Sequence, residues 1–288
     1  MVRGLLEIRP AVRADEAAIR RLLDRSARPC VRSWWWEEHL GTETFLLTLA
    51  DGYLVGALLA LPDDSPVAWV RLGVLAPEIP AGLWLDATLP HLEAPLRALG
   101  ARALAWTDVG GWMGEALRTR RFRLLAYLVT LRKDDRFLPP MPSSAPCTVR
   151  PAQAEDIPHL VCLDHDAFPS PWWFSAATLE HIRQEAACFL VAERDGLLVG
   201  YAEARSANHG AHIGRLAVAP GFQRRGVGSY LLRTVLLRLW QQGVKAVTLN
   251  TQVDNVASRR LYERFGFQPV GSRITAWWRA LDKTETGR

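Results

Sequence analysis

The sequence predicts an α/β protein made of two tandem domains of one fold, each with a mixed, mostly antiparallel sheet flanked by helices. Two observations lead to this fold class. Apolar runs of strand length alternate with segments of helical periodicity. The two halves of the chain also share short sequence matches at a nearly constant separation. With 288 residues, the chain is long enough for two domains of ordinary size.

The elements of the C-terminal half follow from its periodicity and its turn residues. In order they are a strand at 147–152, helices at 154–166 and 175–186, strands at 188–194, 197–206 and 211–219, a helix at 226–242, a strand at 245–251, a helix at 255–265, and strands at 267–272 and 274–281. The helix at 226–242 is the most regular, because five apolar residues recur at helical spacing before Gly243. These residues are Val227, Leu231, Leu232, Val235 and Leu239.

Three pairs of similar segments support the tandem arrangement. They are 8–11 with 149–152, which are 141 positions apart, and 45–56 with 189–200 and 71–74 with 215–218, each 144 apart. Between the halves, residues 133–146 contain four prolines and little periodicity, which is typical of a linker. We therefore expect domains at 1–132 and 147–288. The alternative is two unrelated α/β halves with incidental similarity.

Composition limits the class of protein. Hydrophobic residues make up 49% and charged residues 23% of the chain, which is typical of a globular protein. No apolar run approaches the ~20 residues of a membrane span, and the N-terminus does not match a secretion signal, so we expect a cytoplasmic protein without a membrane partner. Cys30, Cys147, Cys162 and Cys188 lack metal-ligand spacing, and the arginines behind the net charge of +5 form no long basic block. Neither a metal site nor a nucleic-acid partner is expected.

The most informative segment is 218–228, where a strand-like run ends and a helical pattern begins after two arginines and two glycines. Gly226 and Gly228 have no Cβ, so a ligand can approach the backbone, and the unpaired amides of a first helical turn favour an anion. Two known phosphate loops are excluded, because Leu231 stands where GxGxxG requires its third glycine and no GxxxxGK[ST] occurs. The alternative is an ordinary strand-to-helix turn with solvated arginines.

A second segment, 255–267, predicts one short helix that begins after Asn255, a good N-cap, and ends at Gly266, a good C-terminal stop. Its predicted buried stripe is Ala257, Leu261 and Phe265, and its predicted polar face is Asn255, Ser258 and Tyr262. Polar groups therefore converge beside an apolar seam.

Together the two segments resemble the signature of the Gcn5-related N-acetyltransferase (GNAT) superfamily. In this signature, Q/R-x-x-G-x-G/A is followed by a motif that begins with asparagine, continues with Leu-Tyr and ends with Gly-Phe. The residues that carry the resemblance are Gln223, Gly226, Gly228, Asn255, Leu261, Tyr262, Gly266 and Phe267. Two motifs in the family's order make the signal specific, although they cover only part of the C-terminal half.

The resemblance implies an acetyl-CoA site and no metal. The strand ending in Leu216, Ala217 and Val218 would splay from its neighbour and bind the pantetheine arm through its backbone. The segment that would hold the pyrophosphate is Gln223, Arg224, Arg225, Gly226, Val227, Gly228 and Ser229, and Asn255 would also contact the cofactor. A strand amide near Val218 suits the oxyanion that forms when an amine attacks the acetyl group, and Tyr262 would donate a proton to the departing thiolate. The alternative for Tyr262 is a helix aromatic whose hydroxyl only reaches water.

The N-terminal half lacks the residues of this chemistry. Where the second half has its phosphate loop, the first has 78–85, in which an acidic residue replaces basic ones, Pro80 removes an amide and Trp84 would fill phosphate space. Arg118 stands near the position of Tyr262. We therefore expect a degenerate GNAT-like domain without cofactor, which packs against the active one as in a pseudo-dimer.

The acceptor side is less clearly marked. In this superfamily the loop between the first two helices helps to form the acceptor site, and here that loop, 167–174, is rich in proline and aromatic residues. It resembles the matching segment of enzymes that acetylate the N-terminal alanine of a ribosomal protein. The first half carries tryptophans at 34–36 in a comparable place, so the aromatics could equally be packing residues.

The proton acceptor departs from that resemblance. The ribosomal-protein enzymes place a glutamate base five residues before the motif asparagine, and this chain has Asn250 there. Glu203 and His212 are the alternative candidates on neighbouring strands, beside water or an acceptor that arrives as a free amine. The alternative for Glu203 is a side chain that points outward into solvent and has no catalytic role.

Three functions follow. The first is an acetyl-CoA-dependent N-acetyltransferase in which a peptide N-terminus or a small amine attacks directly. The second is a tandem-domain enzyme similar to mycothiol synthase, which acetylates a small amine-bearing thiol precursor. The third is a non-catalytic acyl-CoA-binding sensor, for which the phenol of Tyr262 would have no use.

Overall fold

The computed structural model describes residues 5–26, 28, 31–32, 35–141, 145–207 and 210–281. Cys30, Trp34 and the linker residues 142–144 lie outside the described residues. The described residues up to Tyr127 and from Ile274 onward form one compact unit, the N-terminal unit. Residues Leu128–Arg273 form the C-terminal unit. In the part of the chain that the structure describes, no helix has the length and apolar character needed to cross a bilayer.

The N-terminal unit is a sheet with flanking helices. The elements up to its end are β1 (Leu6–Pro10), α1 (Glu16–Arg25), β2 (Val31–Arg32), β3 (Phe45–Ala50), β4 (Tyr53–Pro62), β5 (Val67–Leu75), α2 (Ala81–Ala98), β6 (Ala103–Asp108), α3 (Gly114–Arg118) and β7 (Arg123–Lys133). β1, β3, β4, β5 and β6 lie side by side in that order. All these neighbours are antiparallel except β5 and β6, which run parallel.

The C-terminal unit repeats this arrangement. The elements after β7 are β8 (Thr148–Pro151), α4 (Ile157–Ala167), α5 (Ala176–Glu185), β9 (Cys188–Arg194), β10 (Leu197–Ala207), β11 (Gly210–Val218), α6 (Val227–Gln241), β12 (Ala246–Gln252), α7 (Val256–Arg264) and β13 (Gln268–Ala280). β8 to β12 lie side by side, and again only one pair, β11 and β12, is parallel. The predicted mixed, mostly antiparallel sheets are confirmed.

Each sheet is completed by a strand from the other half of the sequence. Residues 128–133 of β7 pair with β12 in the C-terminal unit, whereas residues 275–280 of β13 pair with β6 in the N-terminal unit. The sequence predicted two separate strands at 267–272 and 274–281, and this was wrong, because β13 is one strand. β7 also continues to Lys133, the first residue of the predicted linker, whose side chain is buried.

The tandem repeat is visible in side-chain contacts. Arg9 makes a two-pronged ion pair with Asp15, whose carboxylate also caps the Val12 amide. Arg150 makes the same pair with Asp156, 141 positions later, and this carboxylate caps Gln153. Because the same local device opens both units, the two halves are copies of one fold.

The sequence separation between equivalent residues changes at β5 and its counterpart β11. Gly56 pairs with Leu75 in the first unit, and Gly200 pairs with Val218 in the second, so the strands correspond at a separation of 143. The sequence matches at 71–74 and 215–218 predicted 144. The physical reason is one additional residue in the connection between β4 and β5, since Ala60 pairs with Val70 whereas Ala204 pairs with Ile213, and the two strands themselves are equally long.

Burial confirms the predicted stripe of α6 and corrects that of α7. All five apolar residues predicted for α6 are buried. On α7, Phe265 is buried as predicted, but Leu261 is only half-buried and Ala257 is exposed. Tyr262 joins Phe265 in the core instead, because the helix is rotated about its axis relative to the predicted stripe.

Candidate active site

The central strand of the C-terminal unit has one open edge. β11 pairs with β12 only through residues 210–213, and the described part of β12 offers no partner to residues 214–218. The Ala219 amide donates to the Val199 carbonyl at 2.9 Å, so the backbone groups of Ala217 face β10 and those of Leu216 and Val218 face the open edge. β11 therefore diverges from β12 as predicted. Of the three predicted residues, Leu216 and Val218 offer backbone groups at the open edge, whereas Ala217 does not.

The loop after β11 exposes consecutive backbone amides. Arg224 and Gly226 have positive φ angles of 59° and 86°, which turn the chain tightly into α6. The first helical bond is from the Tyr230 amide to the Gly226 carbonyl at 2.9 Å, and no side chain caps the helix. The amides of residues 227–229 therefore point out of the helix end, where an anion is favoured.

Gly228 allows three elements to meet at this loop. An added Cβ would lie 3.5 Å from Val218, 3.6 Å from Leu216 and 3.7 Å from Leu261. Beside the loop is a cavity of about 770 Å³, whose walls include Arg194 and Arg225 as well as Glu193 and Asp195. The loop therefore borders both the open strand edge and a cavity whose lining carries charges of both signs.

Gln223 has a different contact from the predicted one. Its side-chain amide donates to the Val218 carbonyl at 3.1 Å, so it ties the end of the open strand to the loop. Its role in cofactor binding stays a prediction, and the contact that the structure gives it is a brace of the backbone.

α7 brings the second motif to the same place. The side-chain Oδ1 of Asn255 accepts from the Ser258 amide at 3.1 Å, which caps the helix and, among the described residues, leaves the side-chain nitrogen of Asn255 as an available donor. Arg264, the last residue of the helix, donates to the hydroxyl of Ser229 in the first turn of α6. This contact fixes α7 against the phosphate loop and adds a positive charge beside it.

Tyr262 is a buried phenol without a hydrogen bond to its hydroxyl among the described residues. Burial raises its pKa to about 12, because the charged phenolate is poorly solvated. The group is therefore protonated throughout the neutral range, as a proton donor must be.

Glu203, a predicted base, is fully enclosed. Its Oε1 accepts from Arg205 at 3.1 Å, and its Oε2 has no hydrogen-bond partner within the described residues. Burial raises the pKa of this carboxyl, and the charge of Arg205 opposes that shift. The carboxylate lies over Gly214, the bulged residue of β11, where an added Cβ would be 2.0 Å from Oε1.

His212, the other predicted base, is partly exposed and neutral. Burial lowers its pKa to about 4, with a smaller contribution from the charge of Arg205. Its Nδ1 lies 3.0 Å from the Thr248 hydroxyl, which donates to the Ala211 carbonyl at 3.2 Å. Since that hydroxyl has one proton, His212 donates from Nδ1 and keeps a lone pair on Nε2.

Sequence reasoning missed the residues that connect the sheet to the 167–174 loop. Asp164 of α4 is fully buried and accepts from the Tyr201 hydroxyl and from the Phe174 amide at 2.8 Å. Arg215 of β11 lies 3.0 Å from the same carboxylate through Nε and donates to the Trp172 carbonyl at 2.5 Å. Burial raises the pKa of Asp164, and the charge of Arg215 opposes the shift. The only sequence signal was charged residues within apolar patterns.

Two of the loop's aromatics pack on Arg215. The rings of Phe168 and Phe174 lie 4.2 Å and 3.6 Å from its guanidinium carbon. Trp173 donates to the Phe168 carbonyl at 2.7 Å and remains half-buried, as does Trp172. Phe168 and Phe174 therefore pack on Arg215, and all four aromatic residues of the loop are half-buried.

The N-terminal unit closes the corresponding edge with its own chain. β5 pairs with β6 only through residues 67–69, and β2 then pairs with Leu72 and Gly73. In the matching loop, Arg28 donates to the carbonyls of residues 76, 77 and 79. Trp84 is fully buried in the first turn of α2 and donates to Thr48 at 2.8 Å. This loop presents carbonyls to a cation where its counterpart presents amides.

The arrangement of open strand, amide-rich loop and capped helix places the chain among the acyltransferases, and the comparisons with known proteins agree. Residues 155–267 match the model of the acetyltransferase (GNAT) family. A [ribosomal protein bS18]-alanine N-acetyltransferase assigned in Bacillus subtilis is 30% identical over 125 residues, which cover 43% of this chain and 83% of the relative. The chain therefore belongs to the GNAT family of N-acetyltransferases and is an acyltransferase.

Two further similarities extend over both halves. The mycothiol acetyltransferase of Brachybacterium faecium is 31% identical over 215 residues, which cover 64% of this chain and 62% of that protein. A solved tandem GNAT protein from the clavulanic acid biosynthesis pathway has a TM-score of 0.70 at 16% identity and covers 98% of this chain and 100% of its own. The second similarity supports the tandem fold alone.

Proposed function

We propose that the chain transfers an acetyl group from acetyl-CoA to an amine, which is either a peptide N-terminus or a small amine. The observation that carries this proposal is the meeting of two features at Gly228. They are the open backbone edge of β11 at Leu216 and Val218 and the outward amides of residues 227–229, which lie beside Leu261 of the helix that carries the protonated phenol of Tyr262.

The donor site suits a diphosphate joined to an extended arm. The amides at the start of α6, with Arg224 and Arg225 nearby, would hold the diphosphate. The backbone groups of Leu216 and Val218 would pair with the amides of the pantetheine arm, as a neighbouring strand would. The available amide nitrogen of Asn255 would be a further donor.

The residues around the thioester divide the chemistry. Acetyl-CoA supplies an activated acyl group with a thiolate as leaving group. The Val218 amide faces the open edge, so it would donate to the carbonyl oxygen as negative charge develops. Tyr262 would protonate the thiolate, since its phenol carries a proton at neutral pH, while its raised pKa makes it a weaker donor than an exposed tyrosine.

Two groups compete for the role of proton acceptor. Glu203 has a raised pKa, which suits a base, but its carboxylate is enclosed. His212 has an available Nε2 lone pair, but its pKa of about 4 makes it a weak base. Separate E203Q and H212Q variants distinguish them, because only loss of the true acceptor lowers kcat with a changed pH profile.

The N-terminal unit would hold no acetyl-CoA, so one molecule would bind per chain. Support comes from β2, which pairs with the edge that the arm would need, and from Arg28, which takes up the carbonyls of the matching loop. Titration calorimetry with CoA tests this proposal. A stoichiometry of two per chain would contradict it.

Turnover is tested by release of free CoA thiol from acetyl-CoA in the presence of an acceptor. A peptide with N-terminal alanine and cysteine amide, a small thiol-bearing amine, are suitable probes. Acceptor-dependent release supports the enzyme. Tight CoA binding without release across a panel of peptides and amines would instead support the sensor.

A small-molecule acceptor is the second candidate, since the similarity to the mycothiol acetyltransferase covers 64% of this chain, which is more than either half. The same panel separates the candidates. Preference for cysteine amide over the peptide by kcat/KM would favour the small acceptor, and the reverse order would favour a peptide N-terminus.

A further inference from the structure

A buried ionic cluster joins the 168–174 loop to the central strand. We call Arg215, Asp164, Tyr201 and the Trp172 carbonyl the Arg215 clamp. Asp164 and Tyr201 are fully buried and Arg215 is 10% exposed. The guanidinium reaches Asp164 on α4 and the Trp172 carbonyl in the loop, while the rings of Phe168 and Phe174 cover it.

The N-terminal unit provides an internal comparison, because it has the same fold without the clamp. By the registers of the two copies, its residues are Leu23 in place of Asp164, Ala57 in place of Tyr201 and Leu72 in place of Arg215. All three are buried in its hydrophobic core. The fold therefore closes its core at these positions with apolar side chains alone.

This comparison argues against stability as the reason for the clamp. Desolvation offsets most of the attraction within a buried ion pair, and replacement of such a pair by apolar residues is often neutral or stabilising. What the clamp does achieve is geometric. The clamp attaches the loop to Arg215 through the Trp172 carbonyl and the rings that cover the guanidinium, next to the open edge at 216–218.

The segment after α1 in the N-terminal unit behaves differently. There β2 lies directly on the edge of β5 and pairs with Leu72 and Gly73. In the C-terminal unit the loop after α4 is held from the face of the sheet, and the described part of the chain places no strand on the open edge of β11. The clamp thus coincides with an edge that remains accessible.

We propose that Arg215 is a positioning residue that holds the 168–174 loop as a wall of the acceptor site beside the thioester. The inference rests on the proposed function, because it takes the open edge at 216–218 as the donor site. On this proposal the attacking amine passes the loop, so a loop displaced by about 1 Å lowers the rate on the order of 100-fold.

The test uses two variants of the full chain. The triple variant D164L/Y201F/R215L replaces the charges by apolar residues as in the N-terminal unit, so no unpaired charge remains buried. The single variant R215K keeps the charge and loses the planar, stacked fork. R183K is the matched control, because Arg183 forms a two-pronged pair with Glu180 on the adjacent α5 outside the clamp.

Three measurements are made on each variant. They are amide hydrogen exchange in a peptide covering 168–174, the Kd for CoA, and kcat/KM for alanyl peptide and cysteine amide at saturating acetyl-CoA. We expect loop exchange about tenfold faster, a CoA Kd within about twofold of the parent, and acceptor kcat/KM lower by roughly 100-fold. R183K should match the parent in all three.

Each other result overturns the inference. Unchanged loop exchange in R215K would show that Arg215 does not hold the loop. Faster exchange with unchanged acceptor kcat/KM would show that the loop is not part of the acceptor site. Loss of CoA affinity in R215K would show a role in the whole unit rather than in positioning. Absence of turnover in the parent chain would instead refute the proposed function, and the exchange measurement would still test the clamp.

Discussion

Substitution of Gly226 by glutamate is the sharpest test of the phosphate loop. The residue has a φ of 86° at the start of α6, and an added Cβ would meet Pro146 no closer than 3.7 Å. The folded chain can therefore accommodate a side chain at the cost of the left-handed conformation, which is about 1–2 kcal/mol. The effect on binding is much larger, because the carboxylate would stand where the diphosphate is proposed to lie.

The magnitude follows from electrostatics. A unit charge 4 Å from another costs about 4 kcal/mol at an effective dielectric constant of about 20. Screening by salt and solvent reduces this cost near the surface, so we expect the Kd for CoA to rise roughly 100-fold. The loss should shrink as ionic strength increases.

Gly243 provides the matched control. It follows the other end of α6 with a φ of 84°, and an added Cβ there would meet no atom within 4 Å. G243E therefore introduces the same strain and charge away from the proposed site. Thermal unfolding should show losses of stability in both variants, larger in G243E because a carboxylate is unfavourable at the C-terminal end of a helix. Calorimetry with CoA should show weak binding in G226E alone. Equal CoA affinity of the two variants would refute the loop assignment.

Three further substitutions test the reacting groups. Y262F should lower kcat about 100-fold without changing the CoA Kd, because it removes only the proton donor; Y127F at an exposed site is the control, and an unaltered kcat would exclude the role. E203Q should lower activity and shift the pH profile of kcat/KM if Glu203 is the base, whereas unchanged kinetics would remove it. H212Q should lose less free energy of unfolding than the parent as the pH is lowered. The pKa of His212 is about 4 when folded and about 6.5 when unfolded, so the unfolded chain binds more protons between these values and acidification costs the parent up to about 3 kcal/mol. If the urea midpoints of H212Q and the parent fell equally as the pH was lowered from about 6.5 to about 4, this prediction would be contradicted.

The local structure around the proposed donor site could be predicted from sequence because its signals are local. The turn at Gly226, the cap at Asn255 and the regular stripe of α6 each depend on residues within a few positions of one another. The alignment of β5 with β11 could not be predicted from sequence. One additional residue before β5 shifts the equivalent positions by one, although the sequences at 71–74 and 215–218 still look alike. The face of α7 was wrong for a related reason, because the apolar spacing did not fix the rotation of the helix against the core.

The sequence by itself determined that two copies of one fold follow each other and that only the second carries an anion-favouring loop, since glycine, proline and charge act on the backbone where they stand. The tertiary structure alone decided which strand completes each sheet and which edge stays open. It also decided that Asp164 meets Arg215 across 51 positions. Pairing over such a distance depends on how the whole chain packs, and no short pattern of residues specifies it.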